Sequence, residues 1–173
     1  MSKNMDVAQN KMNKWLKDMS LKNVTFTINS YDWLYSNAYD IARHAGDKNQ
    51  MEHVQNEYLE YLSRVFDYYE ETSQRMYDRK IPQTFGLEPS RIVADSLDLI
   101  LEMIKKRGYE FISMDEALND EAFQTIDGFG GHSSFFDSAR LRRKQPDEKF
   151  VLPQKPKAHE DVMKAWYKEG ANN

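Results

Sequence analysis

Two acidic residues stand where chemistry is most often placed in α/β proteins, just beyond the ends of β-rich runs. Asp32 follows VTFTI (Val24 to Ile28), and Glu88 follows TFGL (Thr84 to Leu87). If the two runs are neighbouring parallel strands, both carboxylates point toward one rim, and a carboxylate pair can divide acid and base roles when its surroundings separate the two pKa values. A plainer assignment uses the same residues: Asp32 caps the helix that begins near Leu34, and Glu88 is a solvated loop residue before Pro89. Trp33 is either a platform on which a sugar ring stacks or a core residue.

Other chemistries are thinly supplied. There is no cysteine, which excludes thiolate nucleophiles, disulfides and Cys-ligated zinc. The histidines His44, His53, His132 and His159 have neither H-x-x-x-H nor H-E-x-x-H spacing, so the residues alone predict no metal site. Gly128-Phe129-Gly130-Gly131 lacks the strand, helix and lysine of a phosphate loop, and Ser133-Ser134 has no G-x-S-x-G frame. The basic cluster Arg140 to Lys144 reads as a solvated surface or an anion contact.

These candidates need elements to position them. Val7, Met12, Trp15, Leu16 and Met19 recur at helical spacing, and VTFTI follows as a strand. Leu34 to Ala45 predicts a helix stopped by Gly46-Asp47, and Met51 to Tyr77 a long helix whose face is Val54, Tyr58, Tyr61, Leu62, Val65, Phe66 and Tyr69. A proline-started strand is expected over Ile81 to Leu87. The next helix repeats Leu97, Ile100, Leu101 and Ile104, with Asp95 expected in its first turn and Lys105-Lys106-Arg107 before Gly108. Tyr109 to Ser113 predicts a further strand and Met114 to Leu118 a short helix. Beyond Asp127 the pattern fades, with a short helical piece around Asp161 to Lys168.

This alternation predicts an α/β fold with parallel strands and covering helices. Three strands are few for a parallel sheet, so the sheet reads as part of a larger one. The chain has 173 residues, 40% hydrophobic and 30% charged, with a formal charge of −4, which suits one soluble domain and gives no electrostatic reason to expect nucleic acid. No signal-like apolar run or membrane-spanning stretch is present, so no membrane anchoring is expected and the compartment stays open.

Taken in order, Asn29-Ser30-Tyr31-Asp32-Trp33, Ile81-Pro82-Gln83, Ala94-Asp95-Ser96-Leu97-Asp98 and the run Arg107-Gly108-Tyr109 to Leu118 resemble the C-terminal half of the polysaccharide deacetylase family. The likeness spans roughly Trp15 to Gly131. It implies a partial deformed (β/α) barrel over 1–131, a tail over 132–173, and acetylated polysaccharide as the partner. Family members hold a divalent metal, usually zinc, through T-F-D-D and H-x-x-x-H motifs. Neither motif occurs here, so this chain by itself supplies no metal site.

By the same resemblance Asp32 matches an orienting Asp, Trp33 and Tyr31 line the substrate groove, and Asn29 replaces the first Asp of the D-x-x-D-W motif. Glu88 falls where the family places its general-acid His. The expectation is a deacetylase-like protein, inactive alone. The alternative is a non-catalytic carbohydrate-binding or interaction module that stacks sugars on Trp33, Tyr31 and Tyr35, and a weaker third is a metal-free hydrolase using Asp32 and Glu88. Half a barrel would leave strand edges exposed and invite self-association or a partner chain that supplies the N-terminal half.

Overall fold

The computed structural model describes residues 3–22 and 24–124, together with residues 135, 157, 158, 160, 162 and 164. The elements are α1 (Lys3–Asp18), β1 (Ile28–Asn29), α2 (Asp32–His44), α3 (Lys48–Tyr77), β2 (Phe85–Gly86), α4 (Arg91–Lys106), α5 (Met114–Leu118) and α6 (Glu121–Gln124). The chain divides into two compact units. The first comprises Met1–Thr27, Thr72–Thr84 and Ile112–Leu152, and the second Ile28–Glu71, Phe85–Phe111 and Pro153–Asn173.

The second unit is built on three helices. In α2 the buried residues are Leu34, Tyr35, Ala38, Tyr39 and Ala42, a stripe at helical spacing. The helix closes at Gly46, whose φ of 70° suits a residue without Cβ, through hydrogen bonds from Gly46 N–H to the Arg43 carbonyl and from Asp47 N–H to the Ala42 carbonyl. Asp47 then starts α3, its Oδ1 accepting from the Gln50 amide at 3.0 Å. The glycine stop and the next helix's cap are therefore adjacent residues.

Along α3 the expected face is the observed one: Val54, Tyr58, Tyr61, Leu62, Val65, Phe66 and Tyr69 are all buried. The face of α4 is turned from expectation. Ile92, Val93, Ser96, Ile100 and Ile104 point inward, while Leu97 is exposed. Ser96 takes the inward place because its Oγ accepts from Gln55 Nε2 at 3.1 Å, and Gln55 also donates to the Asp95 carbonyl. Asp95 in turn accepts from the Tyr39 hydroxyl at 2.9 Å, where α2 packs on α4.

Arg107, at the end of α4, fastens that helix to α3. Its Nη1 donates to Asp67 and Glu70 at 2.8 and 3.2 Å, and its Nη2 donates to the Ser63 carbonyl and hydroxyl, both at 2.8 Å. Burial works against the guanidinium charge, but the bonds to Asp67 and Glu70 outweigh it and raise the Arg107 pKa. Gly108 follows with φ 81°, and Tyr109 packs edge-on against Phe66 with ring centroids 5.8 Å apart.

In the first unit α1 ends by the same device, Leu21 N–H reaching the Leu16 carbonyl with Ser20 in the left-handed region. Arg79 meets Asp120 through two bonds of 2.8 and 2.7 Å. Thr27 and Thr84 clasp each other: each amide donates to the other's hydroxyl oxygen, both at 2.9 Å, and Thr27 N–H also reaches the Thr84 carbonyl.

The (β/α) barrel is not the fold. Among the described residues the protein is mainly helical, and its sheet is one parallel pair of two-residue strands, Ile28 opposite Phe85 and Asn29 opposite Gly86. The expected strand over Tyr109 to Ser113 does not form, and its two ends show why. Tyr109 N–H is spent closing α4 on the Ile104 carbonyl, while Ser113 Oγ caps α5 by accepting from the Glu116 amide at 3.2 Å. Of the three residues left between them, Phe111 and Ile112 have β-forming side chains but no strand among the described residues to pair with, and strand propensity without a partner gives no sheet. Only Ile28-Asn29 and Phe85-Gly86 remain of the other two expected strands, since the residues before them bond through threonine side chains instead of a regular ladder.

Arg107→Ala is expected to lower stability by about 2 kcal/mol, because it removes the guanidinium's bonds to Asp67, Glu70 and Ser63, of which the one to the part-buried Glu70 is least exposed to water. Arg107→Lys should recover only part of this, a lysine being unable to reach both partners with a fork. Urea midpoints at constant slope measure both.

Candidate functional site

The carboxyl ends of β1 and β2 lie in the second unit, and from them run Ser30-Tyr31-Asp32-Trp33 and Leu87-Glu88-Pro89-Ser90. The first turn is shaped by its polar residues. Asn29 Oδ1 accepts from the Tyr31 amide at 3.0 Å, a side-chain turn that replaces a backbone one. Tyr31 is thereby held at φ 50°, a left-handed conformation that carries a strain of about 1 kcal/mol or more for a residue with Cβ. Leu34 N–H then bonds the Tyr31 carbonyl and α2 begins.

Asp32 is 1% exposed. Its Oδ1 accepts from the Trp33 amide at 2.9 Å, and its Oδ2 accepts from the Glu88 amide at 2.6 Å. The carboxylate thus ties the turn after β1 to the turn after β2, residues 56 positions apart. Sequence reasoning placed Asp32 and Glu88 on one rim, and they meet there, but through the Glu88 main chain. The Glu88 side chain is exposed. What the arrangement does chemically is hold an anion in place with two peptide N–H groups, each of which would otherwise need another acceptor.

Aromatic rings surround this anchor. Tyr31 meets Tyr61 edge-on with centroids 6.3 Å apart, and Tyr35 stacks at 5.2 and 5.3 Å from Tyr58 and Tyr61. Tyr35, expected as a sugar platform, is instead fully buried in this cluster. Trp33, on the outer side of the first helical turn, is 37% exposed. Tyr58 was read only as core, yet its ring brings a phenol to Ser30 and Asp32. Burial pushes the Tyr58 pKa up, and the Asp32 charge pushes it further; burial, then Tyr31 and Tyr35, does the same to Tyr61. The signal for Tyr58 lay only in its place on the α3 stripe, which cannot say which residue comes opposite a strand end.

Among the described residues no three His, Asp or Glu side chains are grouped to hold a metal ion. At the turn, Asp32 is buried and each of its oxygens accepts from one peptide N–H group. His44 lies at the end of α2 with Nδ1 2.7 Å from the Asp40 carbonyl, and His53 on α3 lines a separate hollow with Asp47 and Glu57. His132, His159, Gly128 to Gly131, Ser133-Ser134 and the cluster Arg140 to Lys144 lie outside the described residues. Comparison of the chain with known families, characterised proteins and solved structures finds no match.

Two outcomes separate an anchoring Asp32 from a pair of reacting carboxylates. Asp32→Ala is expected to destabilise the protein by about 2–3 kcal/mol through two orphaned amides, while Glu88→Gln stays within about 0.5 kcal/mol. Denaturant titration of both variants checks this, and an opposite ranking would mean that the tie is not what stabilises the turn.

The buried phenols give a pH dependence whose sign is fixed. The folded pKa of Tyr58 lies above the unfolded value of about 10, so its contribution is fully present below about pH 10 and is lost as pH rises toward the folded value. Stability is therefore expected to fall in alkali above about pH 10, less steeply in Tyr58→Phe, as thermal unfolding at graded pH would record.

Proposed function

We propose that this protein is a deacetylase-like carbohydrate-binding protein without hydrolytic activity of its own, which holds acetylated polysaccharide at the Tyr31-Trp33 turn. The observation that supports this reading is the state of Asp32: 1% exposed, with each oxygen accepting from a peptide N–H group, it serves the turn. The polysaccharide itself is inferred from the resemblance of Asn29 to Trp33, Ile81 to Gln83 and Arg107 to Leu118. Trp33, 37% exposed, is the residue assigned to the ligand contact. A partly exposed indole at the first turn of a helix suits the apolar face of a pyranose ring, to which it offers apolar area.

The recognition is that of a binding module. Trp33 stacks on a sugar ring, Tyr31 braces the turn from behind through Tyr61, and Glu88 at the mouth of the neighbouring turn offers an acceptor to sugar hydroxyls or acetamido N–H groups. A single stacked ring with few hydrogen bonds gives weak affinity, of the order of about 1 mM.

Calorimetry or NMR titration with N-acetylglucosamine oligomers tests this. Binding near about 1 mM is expected, with Trp33→Ala weakening it about tenfold or more and zinc producing no acetate release. Absence of binding at millimolar ligand would overturn the carbohydrate reading, and metal-dependent acetate release would overturn the non-catalytic one.

A further inference from the structure

Helix α1 carries more apolar surface than the described residues of the first unit cover. Its Leu16 is half-buried beside a hollow that Leu118 and Phe123 also line. Met12, Trp15 and Met19, spaced i, i+3 and i+7, form the neighbouring stripe and are 43%, 54% and 57% exposed. Leu21, just past the helix, is exposed as well, and the ion pair of Lys22 with Asp115 sets the exposed Met114 beside that end. Covering a helix on one edge and leaving its best apolar stripe in water is unfavourable unless something else takes the stripe.

The charge around that stripe says what would. Lys11, Lys14, Lys17 and Lys22 are all exposed. Residues 3–22 hold five lysines and two aspartates, in a chain whose formal charge is −4. The protein is thus electrically lopsided, with a basic helix on an otherwise acidic molecule, and an anionic surface would attract this helix and turn the remainder away. Helices with an apolar stripe that includes a tryptophan and with lysines on the other side lie in the headgroup layer of bilayers. The apolar side chains enter the acyl boundary while the flexible lysines reach phosphates. No helix among the described residues is long and apolar enough to cross a membrane, so the contact is with the surface only.

We propose that the Met12-Trp15-Met19 face of α1 is a docking surface for an anionic phospholipid bilayer. It belongs to the first unit and does not rest on the carbohydrate reading. A bilayer offers what this face needs, an apolar layer bounded by negative charge, and demands no shaped complement.

Co-sedimentation of the full chain with vesicles of phosphatidylcholine alone, and of phosphatidylcholine with phosphatidylserine, tests the proposal. The protein is expected to bind the anionic vesicles in low salt and to leave them as salt rises. Trp15→Ser with Met19→Ser should abolish binding with the helical circular dichroism intact, both residues being exposed. Lys14→Gln with Lys17→Gln should weaken it about tenfold or more, at roughly fivefold for each lysine near the surface. Failure to sediment with anionic vesicles would overturn the proposal, and so would equal binding to neutral ones. If instead the wild type dimerises without binding vesicles and Trp15→Ser is monomeric, the face is a protein interface and the bilayer reading is wrong.

Discussion

A carboxylate removed from water must find donors nearby, and this requirement organises the second unit. At Asp32 the donors are two backbone amides, one from its own turn and one from Glu88. Because the second donor comes from the turn after β2, the carboxylate sets where α4 begins relative to α2. The packing of α2 on α4, with Tyr39 bonded to Asp95, follows from that setting, as does the bond of Gln55 on α3 to Ser96 on α4. Two-residue strands are too short to fix a register by themselves. The side-chain bonds, Asp32 at one end and the Thr27-Thr84 clasp before the strands, do for this pair what a longer ladder does in a larger sheet.

The same anchor tolerates strain. Tyr31 sits in a left-handed conformation that glycine would adopt freely, and it is kept there by Asn29 on its amide and by Tyr61 on its ring. A glycine would relieve the backbone but lose the ring contact that supports the turn from beneath. Strain at a turn that carries an exposed tryptophan is consistent with a position where geometry matters more than local stability.

How much of this was legible depended on the range of each interaction. The helices α2, α3 and α4 could be read because their evidence is local: apolar spacing and Gly46 and Gly108 as stops. The expected acidic first turn of α4 is not there, since that helix opens on Arg91 and Asp95 lies beyond its first turn. The strands could not, since their existence depends on a partner, and Tyr109 to Ser113 shows the failure best. Its residues are strand-formers, yet Arg107-Gly108-Tyr109 belongs to the close of α4 and Ser113 to the opening of α5. The face of α4 was misjudged by one position for a related reason. Leu97 is the more apolar residue, but Ser96 has Gln55 opposite it, and pattern counting does not see across to α3. At the turn, sequence reasoning found the meeting of Asp32 with the Glu88 position and missed that a main-chain amide makes it.

That last difference decides the functional reading. An acid placed after a strand serves catalysis when an oxygen faces the substrate and serves architecture when its oxygens face amides, and the residue type and position are the same in both cases. The Asp32 oxygens face amides, and in the reading proposed above the ligand contact passes to its neighbour. Trp33 donates its own amide to Asp32, so the anchor that fixes the turn also fixes where the indole leaves the backbone. Under the carbohydrate reading proposed above, a turn fixed in this way would lose little backbone freedom when a ligand binds there.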